Sequence, residues 1–519
     1  MLQIRHLTIS HKKDLHLLLE DFNLTLNPGD KAVLIGEEGN GKSTLLKWIR
    51  DPALVEAYTE AEGERILPGE RLGYLPQELP AEEQEKSVAE YLSAKAEPRT
   101  CSPKDLANLT AQLGLPEGFP ASTQRLGTLS GGEKIKTQLL ALLLTDPTVL
   151  LLDEPSNDLD LKTLEWLENF IRKTDKTVLF ISHDETLIEK TANVVIHLEQ
   201  LRKKSRPRYT VARIPYREYV ARREGAFRRQ AQEAESERRE KRARDEKFRR
   251  IHDSVEAAQA NITRQDPATG RLLKKKMHTV KSLERRFARE DEDMTEFPEQ
   301  EEAIFFKFDA ARSAMPAGKT VLNLDLKELK NPEGRLLARD VKLYVRGPEK
   351  IGIVGKNGVG KSTLLKEIAA QLLAKADLNA AYMPQNYGDS LDGSLPPLEF
   401  LCPLGDRAEQ TRIRTYLGAM RYTTDEMEHP MAELSGGQRA KLLLLKMSLS
   451  GANVLLLDEP TRNFSPLSGP VIRRLLAEYP GTVISVSHDR KFLAEVCTKV
   501  LELTPGGTVP IGIDGLGML

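Results

Sequence analysis

Short, almost unbroken apolar runs recur along this chain. "KAVLIG" (31–36), "TVLLLDE" (148–154) and "KTVLFIS" (176–182) lie in its first part; "KIGIVG" (350–355), "NVLLLDE" (453–459) and "GTVISVS" (481–487) lie in its last. Runs of this length without polar alternation predict parallel strands buried on both faces. Two of them pass straight into a glycine loop and then an amphipathic helical stretch, "STLLKWI" or "STLLKEI". Strands alternating with helices predict an α/β fold with a largely parallel sheet.

The two sets are copies. "GEEGNGKST" (36–44) matches "GKNGVGKST" (355–363), "GYLPQE" matches "AYMPQN", "LSGGE" matches "LSGGQ", and "LFISHD" matches "ISVSHD", in the same order. Ser130 to Asp153 and Ser435 to Asp458 both span 23 positions, and Glu154 to His183 and Glu459 to His488 both span 29. Gly36 to Ser130 is 94 positions against 80 from Gly355 to Ser435, so the first copy carries an insertion. The repeat thus predicts two P-loop domains, 1–200 and 319–519, separated by a segment 201–318 of another kind.

That middle segment is helical and basic. From Tyr216 to Ile262 there is no proline and one glycine, enough for a helix of roughly 70 Å. Phe248, Ile251, Val255, Ala258 and Ile262 are spaced 3, 4, 3, 4, and Leu273, Met277, Val280, Leu283 and Phe287 form a second stripe. "TRQDPATG" (263–270) between them predicts a turn, hence an antiparallel coiled-coil hairpin. The whole chain has a net charge of −1, but residues 202–289 hold 28 Lys+Arg against 12 Asp+Glu. A stripe of charge +16 with Lys274–Lys276 beside the turn suits nucleic-acid phosphates.

Each glycine loop satisfies G-x-x-x-x-G-K-[ST]. Gly36, Gly39 and Gly41, and Gly355, Gly358 and Gly360, free the backbone N–H groups to cradle phosphates, together with Thr44 and Thr363 at the helix start. Lys42 and Lys361 reach the β- and γ-phosphates; Ser43 and Ser362 ligate Mg²⁺. Asp153 and Asp458 end hydrophobic strands where a carboxylate reaches the same ion. Glu154 and Glu459 are the candidate bases for an attacking water, and His183 and His488 the candidate γ-phosphate donors. Gln77 and Gln385 are candidate sensors of Mg²⁺ and water. The cofactors expected are ATP and Mg²⁺.

"LSGG" resembles the signature of the ATP-binding cassette superfamily. The resemblance implies that two cassettes close head to tail. One site would pair Lys42, Ser43, Glu154 and His183 with Ser435, Gly436 and Gly437; the other would pair Lys361, Ser362, Glu459 and His488 with Ser130, Gly131 and Gly132. About 25 residues before the glycine loops, where cassettes usually place an aromatic against adenine, stand His11–Lys12 and Lys330–Asn331, which leaves adenine or guanine open.

Tandem cassettes around a basic hairpin, with no membrane-length apolar run, are similar to the ABC-F proteins. Members bind the ribosome near the tRNA exit site and push the hairpin toward P-site tRNA, tuning translation or dislodging antibiotics. The implied protein is a cytoplasmic ATPase, expected as a monomer, with rRNA and tRNA of the ribosome as partners and no membrane. A transporter's energising subunit and a DNA-associated ATPase are the alternatives. Three scattered cysteines and an N-terminus without an apolar signal core fit a reducing cytosol.

The copies diverge in one place. "DEPSNDLDL" (153–161) faces "DEPTRNFSP" (458–466). Pro466 and Pro470 predict that the second helix starts near Pro470, with Ser468 as its cap, so the loop is longer and the helix shorter. The loop is expected beside Gly39–Lys42, with Arg462 offsetting Glu37 or Glu38 across the seam.

Overall fold

The apolar runs form the strands they predict. A computed structural model describes residues 1–95, 103–201, 206–260, 267–292, 294, 295, 297, 307–403 and 405–512. It divides into two compact units, Met1–Tyr216 with Glu301–Leu519, and Arg217–Gln300.

The larger unit holds both cassettes, each built on a six-stranded sheet. In the first the order is Leu72–Leu75, Val149–Asp153, Thr177–Ile181, Lys31–Ile35, Val194–Leu201, Arg206–Ala212. All neighbours are parallel except the last pair, and that edge strand lies beyond residue 200. The second repeats the order with Ala380–Met383, Val454–Asp458, Thr482–Val486, Lys350–Val354, Lys499–Thr504 and Gly507–Ile511. The glycine-loop strand therefore lies between the strand before the histidine and its neighbour. Glycine loop, acidic strand end and histidine then all emerge at the carboxyl edge, where open α/β sheets bind ligands.

Each cassette also has an antiparallel sheet. The first has three strands, Leu17–Leu26, Leu2–His11 and Thr59–Ile66; the second has two, Thr320–Lys330 and Leu336–Arg346. The extra strand explains most of the insertion, since Gly36 to Gln77 is 11 positions longer than Gly355 to Gln385. The helix after the divergent loop runs Gly469–Ala477, nine residues, against thirteen for Leu161–Lys173.

The smaller unit is two helices, which the larger unit's chain enters at Tyr216: Tyr216–Ala260 and Pro267–Glu292. They run antiparallel, because Phe248 meets Phe287 edge-on at 5.8 Å, Lys241 pairs with Asp291 at 2.8 Å and Thr295 bonds Glu237 at 2.9 Å. Two expectations need correction. The second helix starts at Pro267, since proline suits a first helical turn, so part of the expected turn is helix; 261–266 and Ile262 lie outside the described residues. Ile251 is 49% exposed and Ala258 is exposed, so neither lies in the seam. The first helix instead packs Ala234, Glu237, Lys241, Arg244, Phe248 and Val255 inward, charged residues covering the seam with their stems.

Candidate nucleotide sites

Both glycine loops are shaped for anions. Gly41 (φ 84°) and Gly360 (φ 103°) take the left-handed conformation at the helix start, which only glycine adopts without strain. A Cβ on Gly36 or Gly355 would collide with the carbonyl of Leu198 or Leu503. The Lys42 ammonium donates to the carbonyls of Gly36 and Glu37 at 2.8 and 2.9 Å. Lys361 does the same with Gly355 and Lys356 at 2.9 and 3.1 Å. Each lysine is folded back over its own loop, within reach of any phosphate held there.

Beside each lysine is a hydroxyl–carboxylate pair. Ser43 Oγ donates to Asp153 at 3.0 Å, and the Tyr74 hydroxyl to its other oxygen at 3.3 Å. Burial first, with neighbouring Glu154 adding, pushes the Asp153 carboxyl up to about 6. Ser362 bonds Asp458, and burial raises that carboxyl also. Asp458 Oδ1 is buried with no partner among the described residues. An orphaned carboxylate oxygen beside a serine hydroxyl fits a hard divalent cation. Gln77 and Gln385 line the two cavities, one each.

The catalytic candidates are the same in kind but differ in state. Glu154 and Glu459 both sit at φ 51°, a strained backbone held by N–H bonds to Ile181 (3.2 Å) and Val486 (2.9 Å). At site one His183 Nε2 lies 2.8 Å from Glu154, while Nδ1 donates across the seam to the Phe464 carbonyl at 2.6 Å. That second bond fixes the tautomer and aims Nε2 at the carboxylate. Burial disfavours both charges, but their mutual attraction outweighs it: the Glu154 carboxyl lies below its usual range and the His183 imidazole above. Site two lacks the anchor. His488 Nδ1 is buried without a partner among the described residues, and Nε2 is 3.7 Å from Glu459. Burial, with Lys361 adding, takes His488 down to about 3, and burial takes Glu459 up to about 8. Site one thus holds an ion pair and site two a neutral pair.

Residues of both cassettes line each of two cavities. A cavity of about 560 Å³ at site two brings Gly358, Gly360, Lys361, Ser362, Thr363, Gln385, Asp458, Glu459 and His488 together with Gly131. A cavity of about 240 Å³ at site one gathers Gly39, Gly41, Lys42, Ser43, Thr44, Gln77, Glu154 and His183 with Arg462 and Asn463 of the second cassette. Gly436 and Gly437 meet Glu38 there: the Gly437 N–H donates to Glu38 Oε2 at 2.7 Å. Gly36 and Gly355 line neither cavity, being turned toward their sheets; Gly132 packs on Thr163. Asp153 lies under site one, bonded to Ser43. The hydroxyls of Ser130 and Ser435 cap their own helices through Glu133 and Gln438.

Arg462 does not pair with Glu37 or Glu38. It grips Asp158 of the first cassette through two bonds of 3.0 and 3.1 Å. Glu37 is held instead by Ser465 at 2.7 Å, Ser468 at 2.5 Å and Lys441 at 3.4 Å. Burial acts to raise the Glu37 carboxyl, but Lys441 and the two hydroxyls bring it below its usual value. Ser468 stands at the helix N-cap but makes no capping bond, because its hydroxyl is spent on Glu37. Phe464, 1% exposed in the second cassette's core, anchors the loop between these contacts.

Further along the seam lies a group of ion pairs that no sequence motif announced. Arg473 (side chain 3% exposed) bonds Glu185 (7%) at 2.7 and 3.3 Å, and Arg490 pairs with Glu168. Glu168 and Arg473 hold equivalent positions, 14 after each catalytic glutamate; Glu185 and Arg490 each follow a histidine by two. The two bridges are thus the same contact made twice. The only sequence sign was opposite charge at matched positions, which no single motif displays.

Two phosphate loops facing two signature loops, with an acid and a histidine at each, define a nucleotide hydrolase whose sites span two cassettes. A family model described as "ABC transporter" matches residues 19–157 and 338–462. The chain belongs to this family, and within it to the ABC-F group, as an ATPase. It is 29% identical to the energy-dependent translational throttle protein EttA of Haemophilus influenzae, over 95% of this chain and 90% of that one. It is 26% identical to ABC transporter F family member 5 of Arabidopsis thaliana, over 94% and 73%. The archaeal ribosome recycling factor aABCE1, solved with ribosomal stalk protein aP1, shares the fold with a TM-score of 0.59 at 18% identity, covering 98% of this chain and 90% of that chain. Among the described residues no helix is long and apolar enough to cross a membrane.

Proposed function

We propose that the protein is a cytoplasmic ribosome-binding ATPase in which ATP-driven closure of the cassettes moves the basic hairpin toward tRNA. The observation that carries this is the hairpin itself: a helical pair in the +16 segment, inserted between two hydrolytic cassettes. EttA is an energy-dependent translational throttle protein and aABCE1 a ribosome recycling factor, which favours an RNA partner over DNA or a membrane complex. Translational control and protection from ribosome-targeting antibiotics are both compatible outcomes of such a push.

In this scheme Lys42 and Lys361 unfold from their loop carbonyls onto the β- and γ-phosphates. Ser43, Asp153 and Gln77 would hold magnesium at one site, and Ser362, Asp458 and Gln385 at the other. Magnesium when bound would neutralise charge on the β- and γ-phosphates. Glu154 and Glu459 orient and deprotonate the attacking water, with His183 and His488 donating toward the γ-phosphate. The signature glycines of the opposite cassette close each site, and loss of the γ-phosphate reopens it.

The test is co-sedimentation of a Glu154→Gln/Glu459→Gln variant with ribosomes in ATP. Retention in the ribosomal pellet with ATP, and release without it, is the expected result. Absence from the pellet in both conditions would sink the proposal.

A further inference from the structure

The two sites differ at the end where a γ-phosphate would lie. At site one the first glycine loop presents Glu37 and Glu38; the matching positions of the second loop are Lys356 and Asn357. Glu38 Oε2 accepts the Gly437 N–H at 2.7 Å, and a Cβ on Gly436 would meet the same oxygen at 2.9 Å. The carboxylate therefore rests on the signature glycines, at the start of the fifteen-residue helix Gly436–Ser450. That helix end favours an anion, which is why a signature loop can receive a γ-phosphate. Independently, Glu37 is fixed across the seam by Ser465, Ser468 and Lys441, so the loop that carries Glu38 is tied to the second cassette. At site two no carboxylate comes from the glycine loop; Asn357 reaches the Asp158 carbonyl with its amide.

We propose that the Glu38 carboxylate stands in at site one for the terminal phosphate of a nucleoside triphosphate, so that site one closes around a nucleoside diphosphate while site two requires the triphosphate. This rests on the proposal that both sites bind nucleotide, and it narrows that proposal by leaving γ-phosphate-driven closure and reopening to site two. A triphosphate at site one would bring its γ-phosphate against a carboxylate already holding the signature N–H. A diphosphate would leave Glu38 in place and still engage Lys42. Closure then depends on ATP at one site only, and site one acts as the standing half of the clamp.

The experiment is equilibrium titration with Mg²⁺ and fluorescent ADP or a non-hydrolysable fluorescent ATP analogue. Site one is read in a Lys361→Ala chain and site two in a Lys42→Ala chain. Site one is expected to bind the diphosphate at least as tightly as the triphosphate, and site two to prefer the triphosphate. Glu38→Asn, which copies the second loop, should shift site one toward the triphosphate by roughly tenfold or more, the worth of one charge-assisted bond. Glu38→Gln keeps the reach without the charge and should shift it the same way. A triphosphate preference at site one with Glu38 intact, or a ratio unmoved by both substitutions, overturns the inference. Failure of either nucleotide to bind at site two overturns the nucleotide-site proposal instead. A readout that does not need the lysine variants is the diphosphate retained by the otherwise unaltered chain after gel filtration. It should be present with Glu38 and lost with Glu38→Asn; its absence from the unaltered chain counts against the inference.

Discussion

Arg473→Ala should weaken the seam strongly. The guanidinium is buried (side chain 3% exposed) and bonds both oxygens of Glu185, at 2.7 and 3.3 Å, and Glu495 at 2.7 Å. Removing one member of a buried pair strands the other, at about 3–5 kcal/mol. Lys491 remains 2.8 Å from Glu185 and softens the loss, so the low end, about 3 kcal/mol, is expected. That is roughly a hundredfold in the equilibrium between joined and separated cassettes. Urea unfolding of Arg473→Ala, Glu185→Gln and the double variant gives the coupling energy, which should exceed about 1.5 kcal/mol. The companion pair Glu185→Leu/Arg473→Met should recover most of the stability, because an apolar pair replaces a buried ionic one at little cost. A coupling near zero, with Arg473→Ala unfolding like the unaltered chain, would refute the idea that these bridges hold the seam.

Arg462→Ala should cost under about 1 kcal/mol in the same assay, because its partner Asp158 is 60% exposed and the pair is open to solvent. Glu459 keeps its proton up to about 8 against an ordinary 4.5. The folded chain then holds a proton the unfolded chain has lost, so this group's contribution to stability falls as pH rises from about 4.5 toward 8. By the same sign kcat/KM should climb through that range as site two gains its base; the climb should survive Glu154→Gln and vanish with Glu459→Gln. Replacing Lys274, Lys275 and Lys276 with glutamine should flatten the salt dependence of RNA binding by roughly two to three units of log–log slope, measured by filter binding.

The buried parallel strands and both nucleotide loops were legible because each is written as a contiguous pattern: buried apolar runs, glycines at left-handed turns, and a lysine at a helix start. The shorter helix after the second acidic loop was legible from Pro466 and Pro470 alone. The partner of Arg462 was not, because the loop's course is decided by Phe464 sinking into the core and by two serine hydroxyls on Glu37. Nor was the charged part of the hairpin seam, where Lys241 and Arg244 stand at positions an apolar pattern leaves blank and find Asp291 on the returning helix. The divergent states of His183 and His488 likewise depend on how closely each approaches its own glutamate, 2.8 Å at site one and 3.7 Å at site two.

The paired bridges also settle which halves can recognise each other. Acid at Glu168 and Glu185, base at Arg473 and Arg490, means that two first cassettes set face to face would oppose four carboxylates, and two second cassettes four guanidinium groups. Only unlike halves match. Opposite sign at matched positions is a lock against self-pairing, which favours the first half as mate of the second.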